Sequence, residues 1–146
     1  MSTRISPIEV FPEAVQAMRE LETKIRGFGI DPILLELVKI RASQINRCAF
    51  CLHLHTKEAL QKGEKLERLL VLEGWQESSY YTPKERAALA WTESLTLIAD
   101  RQAADEDYAE LLAHFSAEEA VKLTFAITTI NAWNRIALGF RYAHPA

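Results

Sequence analysis

The chain has 146 residues, 49% of them hydrophobic, and a formal net charge of −3 at pH 7. This length and composition predict a single domain, residues 1–146, with a substantial core. The lack of a basic cluster interleaved with aromatic residues argues against nucleic-acid binding. The lack of an apolar run of about 18–20 residues argues against a membrane span. The first ten residues also lack the apolar centre of a signal peptide, so we expect a cytoplasmic protein.

Helical periodicity dominates the chain and predicts an all-α fold. Residues 6–9 read Ser-Pro-Ile-Glu, a capping box that predicts the start of a first helix. Gly27 and Gly29 predict its end. Asp31 and Pro32 predict the start of a second helix, which is apolar almost all round and is therefore expected to be buried.

Glu36 lies within this second, apolar helix. A buried carboxylate must find a partner or accept a raised pKa. Lys39, three residues later on the same helix, is one candidate partner. His55 is the other, and the local sequence supports the two equally.

The third predicted helix, with Asn46 as its N-cap, runs to about residue 61 and carries the most informative motif. Cys48 and Cys51 are the only cysteines, and His55 follows four residues after the second. Steps of three and four residues place these three side chains on one helix face. His53 is only two residues past Cys51, on nearly the opposite side, so the spacing selects one histidine of the two.

Further helices are predicted along the rest of the chain, over residues 66–75, 82–99, 105–114 and 116–141. Two of them begin with capping boxes, at Thr82 and at Ser116, each followed by Glu three residues later. The last helix carries a polar and aromatic group whose favoured role is packing and hydrogen bonding between helices, at Asn131, Trp133, Asn134 and Arg135.

Two thiols and an imidazole on one face can perform redox chemistry. A cysteine reacts as its thiolate, and a helix N-terminus favours ionisation, most of all for Cys48. His55 can act as a general base toward Cys51. Such a pair suits peroxide reduction, in which one sulfur becomes a sulfenic acid and the other closes a disulfide on it.

Three other interpretations compete with redox chemistry. A structural zinc site needs four ligands, and the motif supplies three, with His114 and His144 isolated along the chain. We therefore predict no metal. A thioredoxin-type motif would follow a strand in a βαβ pattern, which is absent. Two inert, buried core cysteines remain an open alternative.

Residues 36–55 closely resemble the core of the AhpD-like alkylhydroperoxidases, within the carboxymuconolactone decarboxylase superfamily. Residues 81–91 and 130–135 also resemble its small members. The resemblance implies an all-α fold, a homotrimer or homohexamer, and a thiol peroxidase without a cofactor. It also implies that Cys51 attacks the peroxide, that Cys48 resolves the oxidised Cys51, and that His55 moves the proton with support from Glu36.

Phe50 departs from the family pattern, because well-studied hydroperoxidases carry a relay histidine directly before the second cysteine. The expected partners are a small hydroperoxide and either a dithiol protein or a lipoyl-type donor. One alternative is a decarboxylase or lactone-type enzyme of the same superfamily, although those decarboxylases lack the cysteine pair. The other is a non-enzymatic helical oligomer that senses redox state.

Overall fold

The computed structural model describes residues 4–145, and every regular element among them is helical, which confirms the all-α prediction. None of these helices is long and apolar enough to cross a membrane. A 3₁₀ helix (Leu72–Glu77) lies between the fifth and sixth α-helices. The α-helices are α1 (Pro7–Val10), α2 (Pro12–Arg26), α3 (Pro32–Asn46), α4 (Ala49–Gln61), α5 (Leu66–Leu70), α6 (Pro83–Thr96), α7 (Ile98–Arg101), α8 (Asp105–His114) and α9 (Ala117–Phe140).

Helix α3 is the central element of the fold. It packs against α4, α6 and α9, and nine of its 15 residues are buried, as its apolar sequence predicts. Its side chains contribute to three clusters of buried residues: one is shared with α6, α8 and α9, one with α4, α5, the 3₁₀ helix and α6, and one with α2 and α9. Each large apolar side chain buried there stabilises the fold by roughly 1.5–3 kcal/mol.

The first predicted helix is two helices. α1 ends at Val10 and α2 starts at Pro12, while Ser6 makes no side-chain cap hydrogen bond. The prediction of one continuous helix was wrong because Pro12 has no N–H to donate to the preceding turn and its ring disfavours a helical residue before it. Phe11 accordingly leaves the helical region, with φ −147° and ψ 76°.

The later helices follow the predicted boundaries with two exceptions. The capping boxes at Thr82 and Ser116 are both complete, with reciprocal bonds to Glu85 and Glu119. The helix predicted to reach residue 99 stops at Thr96 and resumes as α7 after Leu97. The segment 66–75 divides into α5 and the 3₁₀ helix.

The connection between α3 and α4 differs from the prediction in a way that matters for the cysteines. Asn46 is the last residue of α3, and its amide donates 2.9 Å hydrogen bonds to Asn131 and Asn134 on α9. Arg47 takes the left-handed conformation (φ 57°), and Cys48 is the N-cap of α4. Asn46 is therefore not the cap, because the chain reverses within two residues and the cysteine occupies that position.

Candidate active site

The two cysteines form a disulfide at the start of α4. Their Cα atoms are 5.3 Å apart, and both residues are buried, with exposed fractions of 1% for Cys48 and 3% for Cys51. Cys48, the N-cap, accepts a 3.4 Å hydrogen bond at Sγ from the backbone N–H of Cys51. The positive end of the helix thus lies against the sulfurs and favours a thiolate there when the bond is reduced.

His55 lies one helical turn after Cys51 and contacts Glu36 across the α3–α4 interface. The distance between His55 Nδ1 and Glu36 Oε2 is 3.0 Å, and both side chains are buried. Lys39, the competing partner in the sequence, instead pairs with Glu22 on α2. Packing therefore brings Glu36 to the histidine rather than to the lysine on its own helix.

Glu58 on α4 and Lys62, the C-cap of that helix, complete the surroundings of this pair. Lys62 Nζ donates a 2.6 Å hydrogen bond to Glu36 Oε1, and Glu58 Oε2 lies 3.6 Å from His55 Nδ1. The sequence analysis missed both. The signal was present, because Glu58 and Lys62 continue the steps of three and four that relate Cys48, Cys51 and His55.

The protonation of His55 responds to these partners. Burial alone lowers the pKa of His55, but the hydrogen bond to Glu36 and the nearby Glu58 carboxylate outweigh it, so the net shift of the pKa is upward. Burial alone raises the pKa of Glu36, and the bonds from His55 and Lys62 outweigh it, so the net shift is downward. The nearby imidazole of His55 lowers the pKa of Glu58 to about 2. Both carboxyl groups are therefore ionised at neutral pH.

A chain of ion pairs extends from this site to α2. Arg26 on α2 contacts both Glu22 and Glu58, with N···O distances of 3.4 Å. The connected charges are three carboxylates, at Glu22, Glu36 and Glu58, and three cations, at Arg26, Lys39 and Lys62. His55 is the member of this group whose side-chain type ordinarily changes charge near neutral pH.

Three of these residues could hold a metal ion. Ligand atoms of Glu36, His55 and Glu58 all lie within 4.8 Å of one another. Lys62 and Arg26 already pair with the two carboxylates, so a metal ion would have to displace these cationic side chains.

A cavity of about 320 Å³ adjoins the disulfide. Its size lies at the lower end of the range for small-molecule sites. Cys51 and His55 line it, whereas Cys48 does not. Since Nδ1 of His55 bonds to Glu36, Nε2 is the nitrogen left for the cavity. The other lining residues come from α2, α4, α9 and the C-terminal segment: Val15, Arg19, Glu22, Arg26, Phe50, Leu54, Trp133, Ala137 and Tyr142.

The remaining residues singled out by the sequence separate into two groups. Phe50 lines the cavity and packs edge-on against Tyr142. The exposed His53 stacks on His144, away from the pair formed by Glu36 and His55.

On α9, Asn131 and Asn134 make the predicted hydrogen bonds between helices. Their partners are Thr96 on α6 and Asn46 and Ser43 on α3. Trp133, for which packing between helices was the favoured role, lines the cavity.

Comparisons with known proteins identify the family. Residues 11–94 match the model of the carboxymuconolactone decarboxylase family. The uncharacterised protein YdfG of Bacillus subtilis is 40% identical over 138 residues, which cover 94% of each chain. A crystal structure of a protein of unknown function from Agrobacterium tumefaciens, provisionally described as the antioxidant defence protein AhpD, superposes with a TM-score of 0.97 at 44% identity over 99% of each chain.

A solved structure of lower sequence identity has a similar fold. The debrominase Bmp8 has a TM-score of 0.79 at 22% identity, over 92% of this chain and 73% of that one. This level of identity shows a shared fold alone. The family match, the relatives of 40% and 44% identity and the cysteine pair together show that the chain belongs to the carboxymuconolactone decarboxylase family, as an AhpD-like member.

Proposed function

We propose that this protein is a thiol peroxidase, in which Cys48 and Cys51 cycle between dithiol and disulfide and Glu36 and His55 relay the proton. One observation carries the proposal. The disulfide adjoins a cavity through Cys51 alone, and the histidine lining the same cavity is hydrogen-bonded to a buried carboxylate. This arrangement supplies a reactive sulfur, a proton carrier beside it and room for a small substrate.

The first step is oxidation of Cys51. His55 accepts the thiol proton, and the Cys51 sulfur attacks one peroxide oxygen of the hydroperoxide. The O–O bond breaks, the sulfur retains a hydroxyl group as sulfenic acid, and the leaving alkoxide takes the proton from His55 to become an alcohol. Glu36 stabilises the positively charged imidazole between the two transfers.

The second step closes the disulfide. The Cys48 sulfur attacks Cys51, the S–O bond of the sulfenic acid breaks, and the hydroxyl leaves as water with the proton that Cys48 gives up. The sum is one hydroperoxide and two thiols converted to one alcohol, one water and the disulfide present in the structure. The N-cap position favours the Cys48 thiolate that this attack needs.

The reductant must then reopen the disulfide by thiol exchange. Both cysteines are buried, and of the two only Cys51 lines the cavity. A slender dithiol, such as a lipoyl arm, can enter a cavity of this size, whereas a thiol fixed on a protein surface would need the site to open. Burial therefore favours a lipoyl-type donor over a dithiol protein.

The test is mass spectrometry of the reduced protein after one equivalent of cumene hydroperoxide. Cys48→Ser should accumulate a sulfenic acid on Cys51 and lose turnover. Cys51→Ser should lose even the first oxidation. If Cys51→Ser oxidises at the wild-type rate while Cys48→Ser does not, the roles of the two thiols are reversed.

The same variants address the alternatives to peroxidase activity. A decarboxylase or lactone-type reaction would survive replacement of both cysteines, because the decarboxylases of this superfamily lack the pair. A redox-sensing oligomer would oxidise slowly and without turnover in the presence of a dithiol. If both single variants keep full turnover with peroxide, the peroxidase proposal fails.

Assembly is part of the proposal, since α9 exposes large apolar side chains that a monomer would leave in water. The exposed fractions are 58% for Val121, 53% for Phe125 and 45% for Leu138. Exposed apolar patches of this kind mark interfaces, and we expect a homotrimer or homohexamer. Light scattering should return a multiple of the 16.6 kDa chain mass, and Phe125→Glu should reduce it. A monomer mass at micromolar concentration would contradict this expectation.

A further inference from the structure

The charged residues that line the cavity beside Cys51 differ in whether they have partners. Glu22 pairs with Lys39 and Arg26, and Arg26 also contacts Glu58. His55 bonds to Glu36. Arg19 also lines the cavity, yet its guanidinium makes no hydrogen bond or ion pair with any residue between 4 and 145. Arg19 is thus the charge of the cavity that remains available to a ligand.

The position of Arg19 follows from the spacing on α2. Val15, Arg19, Glu22 and Arg26 are separated by steps of four, three and four, so they share the helix face that lines the cavity. Glu22 is the one carboxylate among the described residues that line this cavity, and Lys39 and Arg26 already neutralise it. Glu13 and Glu20 border Arg19 in a separate surface depression, so an anion on the cavity side of Arg19 would meet the positive charge of the guanidinium.

The rest of the cavity wall is largely apolar. Phe50, Trp133 and Tyr142 supply aromatic surface, and Val15, Leu54 and Ala137 supply aliphatic surface. An apolar body fits such walls, while a guanidinium prefers a planar carboxylate that accepts two parallel hydrogen bonds.

We infer that Arg19 selects substrates that carry a carboxylate on an apolar body, and that it holds the carboxylate while the reactive group faces Cys51. The inference rests on the proposed function for the identity of that reactive group, a hydroperoxide. It assigns to this cavity a substrate class, the carboxylated alkyl or aryl hydroperoxides, and makes Arg19 a specificity-determining residue.

The first test compares two hydroperoxides that share one body, cumene hydroperoxide and its 4-carboxylate derivative. Stopped-flow oxidation of the reduced protein gives a rate for each, divided by the rate with free cysteine to remove intrinsic reactivity. A charge-assisted hydrogen bond at a partly solvated site predicts a preference of about 10-fold for the carboxylate. Salt should weaken the preference.

Variants of α2 test whether Arg19 causes the preference for the carboxylated peroxide. Arg19→Ala should abolish it by slowing the carboxylated peroxide about 10-fold more than it slows cumene hydroperoxide. Arg19→Lys should restore part of it. Lys24→Ala removes the same charge from an exposed position of the same helix that does not line the cavity, and it should keep the preference. An equal preference in wild type and Arg19→Ala would overturn the inference, as would the lack of a preference in wild type.

A binding measurement separates failure of this inference from failure of the peroxidase proposal. Isothermal titration calorimetry of the disulfide form with 4-isopropylbenzoate and with the neutral 4-isopropylbenzamide involves no peroxide. The benzoate should bind about 10-fold tighter, and Arg19→Ala should remove the difference. If this holds while neither peroxide oxidises Cys51, the anion site stands and the peroxidase proposal fails. If the peroxides oxidise Cys51 but both probes bind equally, the peroxidase proposal stands and the inference about Arg19 fails.

Discussion

Two buried carboxylates, Glu36 and Glu93, differ in the chemistry of the groups that bind them. Glu93 on α6 is 3% exposed and accepts hydrogen bonds from Arg41 (2.9 Å) and Trp75 (2.7 Å), among others. None of its partners changes protonation near neutral pH. Glu36 is fully buried, and one of its partners is His55, which titrates in that range and borders the cavity. Burial is common to both carboxylates, and only the partners distinguish the structural role we expect of Glu93 from the chemical role we propose for Glu36.

The largest expected effect comes from removing the imidazole of His55. His55→Ala should slow the first oxidation of Cys51 by about 10²–10⁴-fold, the usual loss for a general base. His53→Ala, on the opposite side of α4, should leave the rate unchanged. Stopped-flow measurement of thiol oxidation checks both variants. Equal rates for wild type and His55→Ala would remove the histidine from the mechanism.

Glu93 should show its effect in stability rather than in rate. Glu93→Ala leaves the guanidinium of Arg41 and the indole N–H of Trp75 without their carboxylate, and it should lower the free energy of unfolding by about 3–5 kcal/mol. Urea denaturation measures this loss, with the exposed Glu77→Ala as the control. The fraction that remains folded should oxidise Cys51 at the wild-type rate. A large loss of that rate in folded protein would mean that Glu93 also affects the oxidation of Cys51, and the distinction from Glu36 would fail.

Glu36→Gln should change the pH dependence of oxidation. The rate rises as His55 loses its proton, so the wild-type inflection should lie above pH 6.5, because hydrogen bonds raise the pKa of His55. Without the Glu36 carboxylate, the charged imidazole loses a stabilising partner while it stays buried. The pKa of His55 should therefore fall, and the inflection should move to lower pH. The plateau at high pH should fall about 10-fold, since the charged imidazole loses a stabilising partner. An unchanged profile would return Glu36 to a structural role.

The smallest expected effect concerns Lys62, whose side chain is 33% exposed. Lys62→Met leaves the Glu36 carboxylate less neutralised, so the carboxylate should hold the His55 proton more strongly. The inflection should then move to higher pH, opposite to Glu36→Gln, with about a threefold loss of rate at neutral pH. Lys57→Met, exposed on the same helix, serves as the control. A shift in the same direction as for Glu36→Gln would contradict this account.

Much of the fold and part of the site were accessible to sequence reasoning. Local rules predicted the all-α class, the buried α3 and the capping boxes at Thr82 and Ser116, because these depend on residues close together along the chain. The break at Pro12 was missed, although it too is a local effect. Asn46 was assigned to the wrong helix because long-range hydrogen bonds to α9 extend α3 through it.

The sequence by itself determined which groups share one face of α4, from Cys48 through His55 to Lys62, since helical spacing depends only on residue order. Tertiary structure decided the partner of each charge. Glu36 had equal claims to Lys39 and His55 until the packing of α2 beside α3 gave Lys39 to Glu22. Tertiary structure also formed the cavity, where α2, α4 and α9 meet, and left Arg19 without a partner in the described chain, because burial and pairing depend on helices that are distant in sequence.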